Sequence, residues 1–183
     1  MSRGKRKRNS QRRRLTLWTV LTLSGGWIYL REAKADGKAV SPLQKQIATQ
    51  FGKMAAAMKA KNSTALAQFL TPDFTQKNLD GKTADRKAAR KNFASAMKAM
   101  KTLSAGFTID KTTPAKSETE VIGSYLFAGM TQPMTTGGKS QQLAMSLPIK
   151  TLWVKTKAGW LLKRMEQLKG GIVRLDGKVP GDG

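Results

Sequence analysis

The apolar residues of this chain change their period once, and that change limits the fold more than any motif does. Up to Met100 they recur every three or four residues. Leu43, Ile47, Phe51, Met54 and Met58 form one such stripe, and Ala89, Phe93, Met97 and Met100 another. From Gly106 the spacing shortens to that of strands. Phe107–Thr112, Glu118–Met130, Gln141–Lys155 and Trp160–Lys169 are the candidates. Between the helical stripes, Ser63 is a predicted N-cap for a short helix holding Leu66, Phe69 and Leu70, closed by Pro72. Phe74–Asn78 reads as a short strand and Asp80-Gly81 as a turn. Asp85 is placed to cap a third helix, Arg86–Lys101. Helices followed by strands predict an α+β domain, a cone-shaped curved antiparallel sheet packed against three N-terminal helices. The mouth of such a cone is a natural small-ligand pocket.

The chain before this domain has another character. Met1–Arg14 carries eight Lys or Arg and no acid, Leu15–Leu30 is mostly apolar, and Ala33-Lys34-Ala35 is a small-x-small site. This is the layout of an export signal cleaved after Ala35. The alternative is an uncleaved single-pass anchor, although sixteen helical residues reach only about 24 Å. The expected division is 1–35 signal or anchor, 36–42 linker, 43–169 cone domain and 170–183 flexible tail. The signal directs the rest to the periplasm or cell surface.

Composition excludes several chemistries. Cysteine and histidine are both absent, so there are no disulfides, thiolate nucleophiles or imidazole bases. No metal or cofactor is expected. Of 34 basic and 11 acidic residues, ten and one respectively precede Asp36, so the remainder still carries +14. That field favours anionic partners such as a membrane or wall surface. Lys87, Lys91, Lys98 and Lys101 on the polar face of the third helix are the candidate contacts. No nucleic-acid reading motif is present.

FLTPDF at 69–74, LDGK at 79–82 and the closing hairpin WVKTKAGWLLK at 153–163 stand in an order that resembles the nuclear transport factor 2-like superfamily, its SnoaL-like branch in particular. The likeness covers residues 44–169. It implies a six-element cone with a deep pocket, often a homodimer through the sheet's outer face. It does not imply one activity, because the superfamily includes isomerases, cyclases and dehydratases as well as binding and assembly modules. Many relatives place a histidine shortly after the hairpin tryptophan. Here that stretch reads Lys163-Arg164-Met165-Glu166. The histidine–carboxylate pair of dehydratase-like relatives therefore has no counterpart.

Weak catalytic candidates are Asp73 and Glu166 as bases and Tyr125 as a hydrogen-bond donor. Strand alternation puts Glu166 on the face of Trp160, Leu162 and Arg164. If that face looks inward, Arg164 can fork onto an anionic ligand with Glu166 orienting it. Tyr125, Trp153 and Trp160 complete the candidate ligand-binding set, core packing being the alternative for the aromatics. The resulting expectation is an exported, non-catalytic domain holding a small, partly apolar or anionic ligand or a partner segment. The alternatives are a proton-transfer enzyme and a membrane-anchored envelope assembly component, the latter resembling the periplasmic core protein of type IV secretion systems.

Overall fold

A computed structural model describes the backbone of residues 18–23 and 26–31, and residues 40–179 apart from 134, 136 and 137. The first long helix, α1 (Pro42–Lys59), starts at a capping box. The Ser41 hydroxyl accepts from the Gln44 amide at 3.1 Å, and the Gln44 side chain accepts from the Ser41 amide at 3.0 Å. Its stripe is buried as the spacing requires, with Ile47, Phe51, Met54 and Met58 each at most 3 % exposed. The second helix, α2 (Ser63–Ala67), is capped one residue earlier than expected, by Asn62, whose carbonyl oxygen accepts from Ala65 N at 2.9 Å. The next strand, β3 (Leu70–Lys77), begins at once, so Leu70 and Pro72 are strand residues rather than a helix end. A short strand β4 (Thr83–Asp85) then leads into α3 (Arg86–Lys98), capped by Asp85 as its position predicts.

The strand half follows as β5 (Ser104–Ile109), β6 (Lys111–Pro114), β7 (Glu118–Met130), β8 (Gln142–Thr156) and β9 (Gly159–Gln167). The run β5-β7-β8-β9-β3-β4 forms the body of the sheet. Most pairs are antiparallel, but β3 lies parallel to β9, because the helical half must return to the far edge of the strand half. The glycine-rich tail, expected to fray, supplies one more strand, β10 (Ile172–Leu175), on β8. The Asp176 carboxylate closes it by accepting from Gln142 N at 2.8 Å.

The described part of the apolar stretch before the domain is extended rather than helical. Trp18–Leu23 (β1) and Gly26–Arg31 (β2) form an antiparallel pair, and β2 lies parallel to β5. Threonine, valine and aromatic residues favour extended backbone there. The expected cleavage site at Ala33–Ala35 lies outside the described residues. Among those described, no helix is long and apolar enough to cross a membrane.

Helices and sheet share one core. Phe51 of α1 stacks on Phe107 with centroids 4.4 Å apart and meets Trp153 edge-on at 4.9 Å. The series runs on through Tyr125 to Phe127, at 5.3 and 5.9 Å. Met54, Met58, Met97 and Met100 are all buried, filling the space between layers as flexible apolar side chains do.

Candidate functional site

The two tryptophans of the closing hairpin belong to the core. Trp153 is fully buried. Its Nε1–H donates to the Thr151 hydroxyl at 3.1 Å, and that hydroxyl donates to the Val121 carbonyl at 3.2 Å. Trp160 donates to the Gln46 side chain at 2.9 Å, tying β9 to α1. Each indole thus has its polar atom satisfied inside the protein, and neither lines the cavity at the mouth.

That cavity lies between α3 and the strands β3, β7, β8 and β9. It is about 80 Å³ in volume, and Gln76, Lys77, Phe93, Tyr125, Leu147, Ile149, Met165 and Gln167 line it. Its position follows from a β-bulge. Leu152 pairs with Arg164 and Trp153 with Leu162, so Lys163 is an extra residue on β9. Before the bulge Trp160 and Leu162 are the buried residues of β9; after it, Met165 and Gln167 line the cavity. A single inserted residue exchanges the two faces of a strand.

The bulge also decides the fate of the expected anion fork. Arg164 is exposed, and Glu166 pairs with Lys77 at 3.2 Å with the lysine half exposed. Neither lines the cavity. Strict alternation puts both on the face of Trp160, but Lys163 interrupts it. Asp73, on β3, is exposed as well. The Thr71 hydroxyl, its own backbone amide and the nearby Lys163 hold its carboxyl below the usual range. A carboxylate so stabilised is a poor base near neutral pH. Of the three weak catalytic candidates only Tyr125 reaches the cavity.

Burial pushes the Tyr125 hydroxyl well above the ordinary phenol range. It therefore stays neutral in the folded protein and presents a donor and an acceptor beside the two amides of Gln76 and Gln167. Stability should accordingly fall with rising pH once the unfolded chain can lose this proton, above about pH 10, while the folded chain keeps it. Comparing alkaline unfolding of the protein with that of Tyr125→Phe checks this. The variant should lose the part of the slope that this hydroxyl causes.

Sequence reasoning missed Gln76, Leu147, Ile149, Met165 and Gln167 as lining residues. Two amides and a methionine on neighbouring strands would have been a signal, but only with the pairing register known. The third-helix lysines Lys87, Lys91 and Lys98, with Lys101 just beyond, are all exposed. Among the described residues no cluster of carboxylates could hold a metal.

This order of elements is that of the nuclear transport factor 2-like, cystatin-like fold, and solved structures agree. A conserved protein from Planctomyces limnophilus superposes with a TM-score of 0.59 at 13% identity, covering 72% of this chain and 96% of its own. A nuclear transport factor 2-like protein with a cystatin-like fold from Novosphingobium aromaticivorans gives 0.54 at 15% identity, covering 69% and 82%. A protein of the same organism, named as a suspected scytalone dehydratase, gives 0.55 at 15% identity, covering 73% and 83%. The chain therefore has the nuclear transport factor 2-like fold. No protein-family model matches it. No curated protein matches it either.

Proposed function

We propose that this protein is an exported binding module that holds a small, partly apolar group at the mouth of its cone. The observation that carries this reading is the cavity lining, which combines apolar side chains, two amides, a neutral phenol and Lys77, with no carboxylate. Proton-transfer chemistry needs a group poised near the working pH within reach of the reacting atom. The chain has no histidine, and the two carboxylates considered for that task lie outside the cavity. A volume of about 80 Å³ is also below the roughly 300–1,000 Å³ of ordinary ligand pockets. The occupant is thus a few heavy atoms, offered by a small molecule or by a side chain of a partner segment.

Export is supported by the basic start, the apolar stretch and the small-x-small site. Cleavage after Ala35 would remove β1 and β2 and leave the six-strand body of the sheet with its three helices. The mass of the exported protein tests this: a chain starting at Asp36 supports it, and an intact N-terminus in the membrane fraction favours an anchored assembly component. The exposed lysines of α3 would then face an anionic envelope surface, each adding about 1 kcal/mol near anionic lipid.

Isobutyramide and p-cresol are suitable probes of the cavity, since each pairs a small apolar body with a hydrogen-bonding end. Titrated into full-length protein carrying ¹³C-methyl methionine, they should shift the Met165 methyl signal saturably and leave those of Met54 and Met58 in place. Leu147→Phe, which fills the edge of the cavity, should abolish the shift. No saturable shift with either probe would overturn the binding reading. Multiple-turnover proton exchange or dehydration by the purified protein would overturn the non-catalytic one and support the reading suggested by the dehydratase-like neighbour.

A further inference from the structure

A larger hollow lies elsewhere, between α2 and the start of α3. It is a cleft of about 490 Å³ whose walls include Thr64, Gln68, Asp85, Arg86, Lys87 and Arg90. Three of these six side chains are cations. Arg86 and Arg90 are held in place by the protein. Nη2 of Arg86 donates to the Ala67 carbonyl at 2.8 Å, and Nη2 of Arg90 donates to the Thr64 hydroxyl at 3.0 Å. Each guanidinium has five N–H donors, so most of its capacity is left over. The Nε of Arg86 is buried and has no partner among the described residues.

The one acid in the cleft does not neutralise them. Asp85 accepts from the Ala88 amide at 2.7 Å as the helix cap, and among the described residues no ion pair joins it to Arg86, Lys87 or Arg90. At the positive end of α3 the Asp85 cap supplies one negative charge, and the first turn adds no further acid. Two hydrogen-bonded arginines and a lysine therefore share the cleft with a single carboxylate, which leaves it a net positive charge and no direct ion pair. Forked guanidinium groups match the tetrahedral oxygens of phosphate, and fixing them beforehand lowers the ordering cost of binding.

We propose that this cleft binds a phosphate group carried on a small polar body, of the size of glycerol phosphate. Arg86 and Arg90 take the phosphate oxygens, Lys87 adds charge, and Thr64 and Gln68 face the attached polyol. The cleft shares no lining residue with the cavity at the cone mouth, so it stands or falls independently of that site. The same chemistry is offered by a free phosphate ester and by a phospholipid headgroup.

Full-length protein should be titrated with glycerol 3-phosphate, with glycerol as the uncharged control, at a fixed ionic strength of about 0.15 M to limit diffuse attraction. The Arg side-chain Nε–H signals provide the readout. Flotation with vesicles of phosphatidic acid or phosphatidylglycerol, and with neutral phosphatidylcholine, distinguishes the lipid source. Arg90→Gln should weaken binding about tenfold or more, the loss expected for one charged hydrogen-bonding partner. Lys116→Gln, which removes an equal charge from the turn between β6 and β7, outside the cleft lining, should change it less than about twofold. Because Arg86 also ties α3 to α2, Arg86→Lys is the milder second variant, and it should weaken binding while the unfolding midpoint stays within a few degrees. Binding to the free ester alone, or to anionic vesicles alone, supports the site if Arg90→Gln removes it, and identifies which source is used. Equal losses in Arg90→Gln and Lys116→Gln would show diffuse charge attraction and overturn the proposal, as would the absence of binding in both arms.

Discussion

Trp153→Ala is expected to lower unfolding stability by about 3–5 kcal/mol, the range for removing a large aromatic side chain from a packed core. The side chain is fully buried, meets Phe51 edge-on at 4.9 Å and donates to the Thr151 hydroxyl. Its removal would open a void between α1 and the centre of β8, and would cost Thr151 a partner in a place water does not reach. Small domains have only about 5–15 kcal/mol in total, so the variant should be close to unfolded at growth temperature. Urea unfolding followed by far-ultraviolet circular dichroism measures this without depending on the lost fluorophore. Trp153→Phe should be milder, because it keeps an aromatic edge toward Phe51 and gives up only volume and one hydrogen bond. A loss below about 1.5 kcal/mol in Trp153→Ala would mean that this core can collapse around the gap.

Gly123→Ala is expected to cost about 3 kcal/mol or more, although it adds a single methyl group. The backbone of Thr108 and Ile109 passes over this residue so closely that a Cβ would stand 1.9 Å from the Thr108 carbonyl oxygen. Nearby, the Ser124 amide donates to the Thr108 hydroxyl at 2.8 Å, which holds the two chains together. The obstacle is backbone on both sides, so no rotamer change can relieve it. Gly81→Ala is the proper comparison. Gly81 has a φ of +80° but nothing within 4 Å of the added carbon, so the cost there is that of the backbone conformation, about 1 kcal/mol. If the two variants unfold at the same urea concentration, the close crossing over Gly123 is wrong.

These two sites also show what can be read from residues in order. The tryptophan's burial was one of two readings open to the letters, and the close approach at Gly123 was not readable at all. It depends on where β5 gives way to β6 along β7, a matter of pairing register. Helices α1 and α3 were legible because their apolar spacing and the Asp85 cap are local signals. The strand Glu118–Met130 was legible for the same reason. Asn62 and Ser63 are both capable N-caps, so the letters do not decide between them, and Pro72 suits a helix end or an extended strand at a bulge alike. The tail strand Ile172–Leu175 escaped notice because its partner, β8, supplies the hydrogen bonds that its glycine-rich surroundings do not promise.

The candidate site was legible only in part. Tyr125 was chosen and lines the cavity. The expectation for Arg164 and Glu166 rests on a two-residue alternation that holds on either side of Lys163 but not across it. Whether a strand accommodates an extra residue is decided by its neighbours, here the pairing of Leu152 and Trp153 on β8.

By itself the sequence determined the fold class, the order of the three helices and the main strands, the absence of thiol and imidazole chemistry and the excess of positive charge. Each of these depends on local spacing or on composition, which the order of residues states directly. Tertiary structure alone decided which face of β9 turns inward, how little room the aromatic core leaves at the mouth, and that Arg86 and Arg90, one turn apart on α3, face α2 across one cleft. Those outcomes depend on register and on contacts between residues distant along the chain, and a strand's own residues do not record the shift that its partner imposes.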